Sequence, residues 1–301
     1  MKKYPLLIQY IPKTALWGGT KLHARYQKVA PFEKISETWE LSVREQDDCL
    51  IRNGEYEGMT LGAYLGDAHK PFPLLIKFID ANDKLSVQVH PDDAYAALDN
   101  DLGKTEMWYI LEAEEGANLI YGLKEGATAE DFKAAVKAGK IEEVLNHQPV
   151  AAGETYFIPA GMVHGIGKGI LVAEIQQSSD LTYRVYDYDR RDAAGNLREL
   201  HVEKAMDVTR PFTKEDVDAV RFAKGEQGLA NCPYFFTDKK AAPFKGETKE
   251  YEILLFIAGS GEILFNGERI PVKAGDCCYL PDDMGAYEVI GETDFLFVKE
   301  N

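Results

Sequence analysis

The chain has 301 residues, with 34 lysines and arginines against 50 aspartates and glutamates, giving a formal net charge of −16 at pH 7. That balance repels phosphate backbones and anionic lipid surfaces, which argues against nucleic acid and membrane as partners. The length suffices for about two domains with an enclosed core, and an anionic small substrate would need a local basic pocket inside the acidic envelope.

The opening "MKKYPLLIQYIPKTALWGG" has two lysines but no sustained apolar run before Pro12, and no segment approaches the ~20 apolar residues that cross a bilayer. The expectation is a soluble, unexported, cytoplasmic protein. Its four cysteines, Cys49, Cys232, Cys277 and Cys278, show no CxxC spacing and read as buried thiols of a reducing compartment.

Along the chain, "PLLIQY", "ISETWELSV" and "FPLLIKFID" are short apolar or alternating runs separated by Gly, Pro and charged turns, the pattern of strands. Short helices are expected at "MTLGAYLG" and at "PDDAYAALDN", where Asp92 or Asp93 can cap. Residues 128–147 give the clearest helical segment. Thr128 with Asp131 makes a capping-box pattern, Phe132, Ala135 and Val136 form one apolar face, and Gly139 is expected to split the segment in two.

Strand patterns resume at "GETYFIPAGMVHGI" and "GILVAEIQQSSDLTYRVYDYDR", followed by a turn at "RDAAGNLREL" and a short helix at "HVEKAMDV". From about residue 229 the chain reads as strands to its end, with hairpins at "AGSGE" and at Asn266-Gly267. Many short strands with few helices predict antiparallel sandwich or jelly-roll domains. The expected division is 1–228, with a small helical insertion at about 126–147, and 229–301.

The two β-rich parts share a local grammar: "GETYFIPAGMVH" (153–164) and "GDCCYLPDDMGAY" (275–287) both run Gly, five residues, Pro, then a turn. Gly153, Pro159, Gly161 and His164 together resemble the second motif of the cupin superfamily, which implies a mainly β fold of two cupin-like jelly-roll β-barrel domains.

In "LSVQVHPDD" (85–93), strand alternation puts Gln88 and His90 on one face and Val87 and Val89 on the other. Glu106, in "GKTEMWYIL", opens a further strand and can add a carboxylate. Two imidazoles, a carboxylate and an amide oxygen form a donor set suited to Zn²⁺, Fe²⁺ or Mn²⁺ with a position left for water or substrate.

The blocks "LWGG", "ETWELS", "SVQVHPDD", "GKTEMWY", "IPAGMVHGI" and "SSDLTYRVYDYDR", in this order, resemble the type I phosphomannose isomerases, particularly their short bacterial form. The resemblance implies one Zn²⁺ per chain held by Gln88, His90, Glu106 and His164. It places the family's active-site arginine at Arg184, with Lys104 sharing the strand face of Glu106 and Ser86 that of Gln88, each aimed at a small phosphorylated sugar. Glu174 and Asp180 match acidic positions lining the pocket, and Trp17 and Glu40 match its rim.

The implied reaction interconverts D-mannose 6-phosphate and D-fructose 6-phosphate through an enediol, in a monomer or homodimer. Arg184 and Lys104 would supply positive charge and Glu174 or Asp180 would move protons. The C-terminal repeat has no histidine matching His164, only Tyr287 with Asp282 and Asp283 nearby, so metal is expected in the first half alone. Two rival readings use the same donors: a non-haem iron oxygenase, whose co-substrate would compete with Gln88 for a position, and a non-catalytic sugar-binding cupin.

Overall fold

In the computed structural model, which describes residues 1–66, 71–191 and 194–301, the chain is mainly β and its strands pair antiparallel throughout. Three large sheets form. The first orders its strands as Thr155–Ile158, Glu106–Ala113, Ile170–Gln177, Leu74–Ala81, Glu37–Leu41 and Ile11–Lys13. Its two central strands are buried at all eight positions each, as the near-continuous apolar runs in "LLIKFIDA" and "ILVAEIQQ" require.

The second sheet runs Leu145–Pro149, Asn118–Leu123, His164–Ile166, Val87–Val89 and Tyr183–Tyr186. The first and second sheets enclose a cavity, and their ladders do not join, so the unit is an open sandwich with no closed barrel. Behind the second sheet, Val87, Val89, Val163, Tyr183 and Val185 pack with Phe132 and Ala205 of two helices into a core of their own.

The third sheet has nine strands and is built on two long ones, Glu252–Phe265 and Gly285–Glu300. Asn266 and Gly267 both take positive φ, 49° and 82°, which lets a two-residue turn match the strand twist between Glu252–Phe265 and Glu268–Lys273. The N-terminal strand Leu6–Gln9 joins this sheet by pairing with Cys277–Leu280. A cut at residue 228 therefore divides the chain but not the sheets.

Helices occupy the connections. Thr60 and Asp92 cap Leu61–Leu65 and Asp93–Ala96, and the capping box of Thr128 and Asp131 starts Ala129–Lys137. The segment breaks at Gly139 (φ 68°), but its second half differs from the helix expected there. Only Ile141–Glu143 makes a turn of 3₁₀ helix, and Leu145–Pro149 becomes an edge strand because the open side of Asn118–Leu123 takes up its backbone groups. Lys214–Arg221 is a helix absent from the sequence reading, although Thr213 and Asp216 supply a second capping box. None of the helices among the described residues is long and apolar enough to cross a membrane.

Candidate metal centre and substrate cavity

Two cross-strand rows make the site. In the second sheet, Gln88 is the register partner of both His164 and Arg184, so three neighbouring strands present His164, Gln88 and Arg184 side by side. In the first sheet the registers Trp108 with Glu174, Glu174 with Lys77 and Lys77 with Trp39 form the facing row. Between them lies a cavity of about 320 Å³.

His90 follows the short strand Val87–Val89 and precedes Pro91, and its carbonyl accepts a hydrogen bond from Gly161 N–H at 2.8 Å. Gly161 has φ 92°, and a Cβ there would stand 2.9 Å from the Val208 carbonyl oxygen, so the turn that delivers His164 needs a glycine. The alternation expected for "SVQVH" is present: Val87 and Val89 are fully buried in the core behind, while Ser86 and Gln88 line the cavity.

His90 Nδ1–H donates to the Leu181 carbonyl at 2.7 Å and His164 Nδ1–H to the Met162 carbonyl at 2.8 Å. A carbonyl only accepts, so each Nδ1 carries the proton and each Nε2 presents a lone pair. These two Nε2 atoms face each other at 3.2 Å, and Glu106 Oε2 and Oε1 stand 3.6 and 3.4 Å from them. Both Glu106 oxygens are buried without a hydrogen-bond donor.

Three converging acceptors in a dry interior repel one another unless a cation sits among them. Donors held about 2 Å from a common Zn²⁺ lie about 3.3 Å apart, as here, so the residues fit a divalent metal. The Gln88 amide lies 3.4 Å from His164 Nε2, and a half-turn of its terminal torsion presents its oxygen in place of its nitrogen.

The electrostatics agree. Burial, with Lys104 and the neighbouring imidazole, lowers the His90 pKa far below its ordinary value, and burial brings His164 down to about 4. Burial and the adjacent Glu174 push Glu106 up to about 8. Burial alone would raise Glu174 as well, but the Lys77 and Lys104 ammoniums and the Trp108 indole N–H, donating at 2.7 Å, outweigh it and hold that carboxyl below its usual range. The buried Lys77 would be lowered by desolvation, yet Glu37 and Glu174 at 3.6 and 3.3 Å win and keep it an ammonium.

Of the residues expected from sequence, Lys104 stands 3.5 Å from Glu106 Oε2 and lines the cavity with Ser86, Glu174, Arg184 and Trp17. Asp180 is exposed at the cavity edge. Arg184 Nε donates to Ser86 Oγ at 3.3 Å.

Glu40 is a correction. It does not reach the cavity. In the strand Glu37–Leu41 the odd positions Glu37 and Trp39 face the cavity, so alternation turns Glu40 away, where Lys28 Nζ donates to it at 2.7 Å in a fully buried pair. Sequence reading missed Lys77, Glu37, Trp39 and Trp108. The available signal was a lone charge inside the apolar run "LLIKFID" and the two-residue spacing of Glu106 and Trp108.

The family profile described as phosphomannose isomerase type I, catalytic domain, matches residues 6–117. Mannose-6-phosphate isomerases of Streptococcus mutans and Bacillus subtilis are 35% and 36% identical to this chain, covering 99% and 98% of it and 98% and 99% of their own lengths. The chain belongs to the type I phosphomannose isomerase family. The crystal structure of the mannose 6-phosphate isomerase from Bacillus subtilis superposes with a TM-score of 0.86 at 31% identity, over 98% of this chain and 99% of that one. The six sequence blocks thus lie in a family fold that extends through the C-terminal sheet.

Proposed function

We propose that this chain is a zinc-dependent aldose-ketose isomerase that interconverts D-mannose 6-phosphate and D-fructose 6-phosphate through an enediol. The observation that supports the metal is the convergence of His90 Nε2, His164 Nε2 and both Glu106 oxygens, three buried acceptor groups within 3.6 Å of one another that face only one cation of the protein, the Lys104 ammonium 3.5 Å from Glu106 Oε2. Membership of the family carries the reaction. Gln88, filling a fourth position beside the two imidazoles, speaks against an iron oxygenase, which needs that position for its co-substrate.

When bound, Zn²⁺ supplies Lewis-acid polarisation of the sugar oxygens. The other steps belong to the chain's own residues. Abstracting a proton beside a carbonyl develops enediolate charge, which the Lys104 ammonium and the Arg184 guanidinium stabilise across the cavity. Glu174, held ionised by Lys77 and Trp108, is a carboxylate able to accept the C2 proton and return it to C1, and Asp180 is a second candidate at the entrance. Ser86 and Arg184 bind phosphate oxygens, and Trp17 packs against the sugar.

The four cysteines are free and buried, as suits the cytoplasm we assign to the enzyme, acting as monomer or homodimer. The test is a coupled assay for fructose 6-phosphate formed from mannose 6-phosphate, before and after chelation. Turnover should vanish with the metal and return on adding zinc. Turnover surviving complete metal removal would refute the zinc assignment, and none in the zinc-loaded protein would refute the isomerase.

A further inference from the structure

Outside the residues with roles above, Arg198 lines the same cavity as Arg184. Its backbone is tied to that arginine, because Arg184 Nη1–H donates to the carbonyl of the next residue, Glu199, at 2.9 Å. Arg198 spends one edge of its guanidinium on Asp187, with Nε–H donating to Oδ2 at 2.7 Å and Nη2–H to Oδ1 at 2.5 Å. Its Nη1 makes no hydrogen bond to the described residues. A bidentate carboxylate grip of this kind fixes the plane of the fork and leaves its remaining donors for another partner.

The local charge is out of balance. Arg190 Nη2–H also donates to Asp187 Oδ1 at 2.5 Å, so one buried carboxylate serves two guanidiniums while Arg184 stands beside them with only neutral acceptors. The half-exposed Asp83, 3.8 Å from Arg190, offsets part of the excess from outside. Burial and the nearby Arg198 depress the Arg184 pKa, against the opposing pull of Asp187 and Glu199. At this end of the cavity three guanidiniums stand around one buried carboxylate, the other two nearby, Asp83 and Glu199, lying out in solvent where their charge is screened, and a phosphate monoester carries about −1.5 to −2 at pH 7.

Resting on the isomerase reading above, we infer that Arg198 is a second guanidinium for the substrate's phosphate, held in place by Asp187, and that it sets the preference for phosphorylated over neutral sugars. Arg184 reaches the phosphate from the strand Tyr183–Tyr186 and Arg198 from the segment that follows it. Asp187 acts as a positioning residue through Arg198.

The test uses the zinc-loaded full chain carrying Arg198→Met, Arg198→Lys or Asp187→Asn. Calorimetric binding of inorganic phosphate is measured beside the steady-state constants for mannose 6-phosphate and for unphosphorylated mannose. Removing one charge-assisted contact is expected to weaken phosphate binding and raise KM for mannose 6-phosphate about tenfold or more in Arg198→Met, with kcat changing much less.

The selectivity for the phosphorylated sugar should fall with KM. Arg198→Lys should recover part of the loss, and Asp187→Asn should show a smaller rise in KM with the same split. Unchanged phosphate affinity and KM in Arg198→Met overturn the inference. Should that variant not fold, unchanged values in Arg198→Lys do so, since a point charge cannot reproduce a fixed fork. Because phosphate binding is read without turnover, a wild-type protein that binds phosphate through Arg198 yet isomerises nothing would refute the reaction and leave this inference standing.

Discussion

In and beside the two sheets around the cavity, buried positions hold His90, His164, Glu106, Lys104, Lys77 and Glu174, whereas the nine-stranded sheet fills buried positions with Leu254, Phe256, Phe295, Cys278 and Tyr279. Both regions are made of antiparallel strands with similar turns. In the second region rings meet rings, as with Phe256 and Phe295 at 5.5 Å, and the polar Tyr287 satisfies itself by donating to Glu252 at 2.7 Å. In the first, both oxygens of the buried Glu106 lack a hydrogen-bond donor and face the Nε2 atoms of His90 and His164. A buried acceptor without a donor costs stability that a bound cation would restore, so the contrast marks the first region as the one suited to hold a ligand.

Breaking the polar half should have the largest effect. His90→Ala is expected to lose bound zinc, measured by elemental analysis, and to lower turnover by more than about a hundredfold. Unchanged zinc stoichiometry would remove His90 from the ligand set.

The seam between the halves comes next. Lys28 Nζ donates to Glu40 and to the Gly275 carbonyl, each at 2.7 Å, and lies 3.9 Å from the Tyr10 ring centre. Lys28→Met strands a buried carboxyl, already raised by burial, and should cost about 3–5 kcal/mol in denaturant unfolding. Adding Glu40→Leu should recover much of this. If the single change were neutral, the pair would be no clamp.

A smaller effect depends on pH. A carboxyl raised on folding contributes its stability below its ordinary value of 4.5 and loses it as pH rises towards about 8. Imidazoles lowered by burial act with the opposite sign, destabilising below their ordinary 6.5 and not above it. Between pH 6.5 and 8 Glu106 therefore acts alone among these three side chains. The melting temperature of the metal-free protein should fall there, on the order of 5 °C, and Glu106→Gln should flatten the fall. Zinc, which requires the ionised carboxylate, should reverse it. A flat profile in the metal-free wild type would mean that Glu106 is not desolvated as described.

The smallest effect belongs to the apolar half. Tyr287→Phe should cost about 1–2 kcal/mol in unfolding while leaving kcat within about twofold, since the hydroxyl it removes bonds to the Glu252 carboxylate and neither residue lines the cavity. A large loss of turnover would couple the C-terminal sheet to the site.

The sequence by itself determined the strand-rich class, the Asn266-Gly267 hairpin, the capped helix at Ala129, and the sharing of one face by Gln88 and His90. Each follows from contacts within a few residues, where the alternation of side chains and turn chemistry leave little freedom. It also named the amide, imidazole and carboxylate groups at positions 88, 90, 106 and 164, because residue identity fixes which atoms a side chain can offer.

Only the tertiary structure decided which charged residues meet. Lys77 and Glu174 sit in apolar runs nearly 100 positions apart and become neighbours through strand register. Trp39 rather than Glu40 faces the cavity because the sheet pairs Trp39 with Lys77, a choice of inward face that alternation alone leaves open. Leu145–Pro149 abandons the helix expected of it because an open strand edge offers its backbone partners. Register, edges and long-range charge pairs arise from contacts distant in the chain, and local pattern does not encode them.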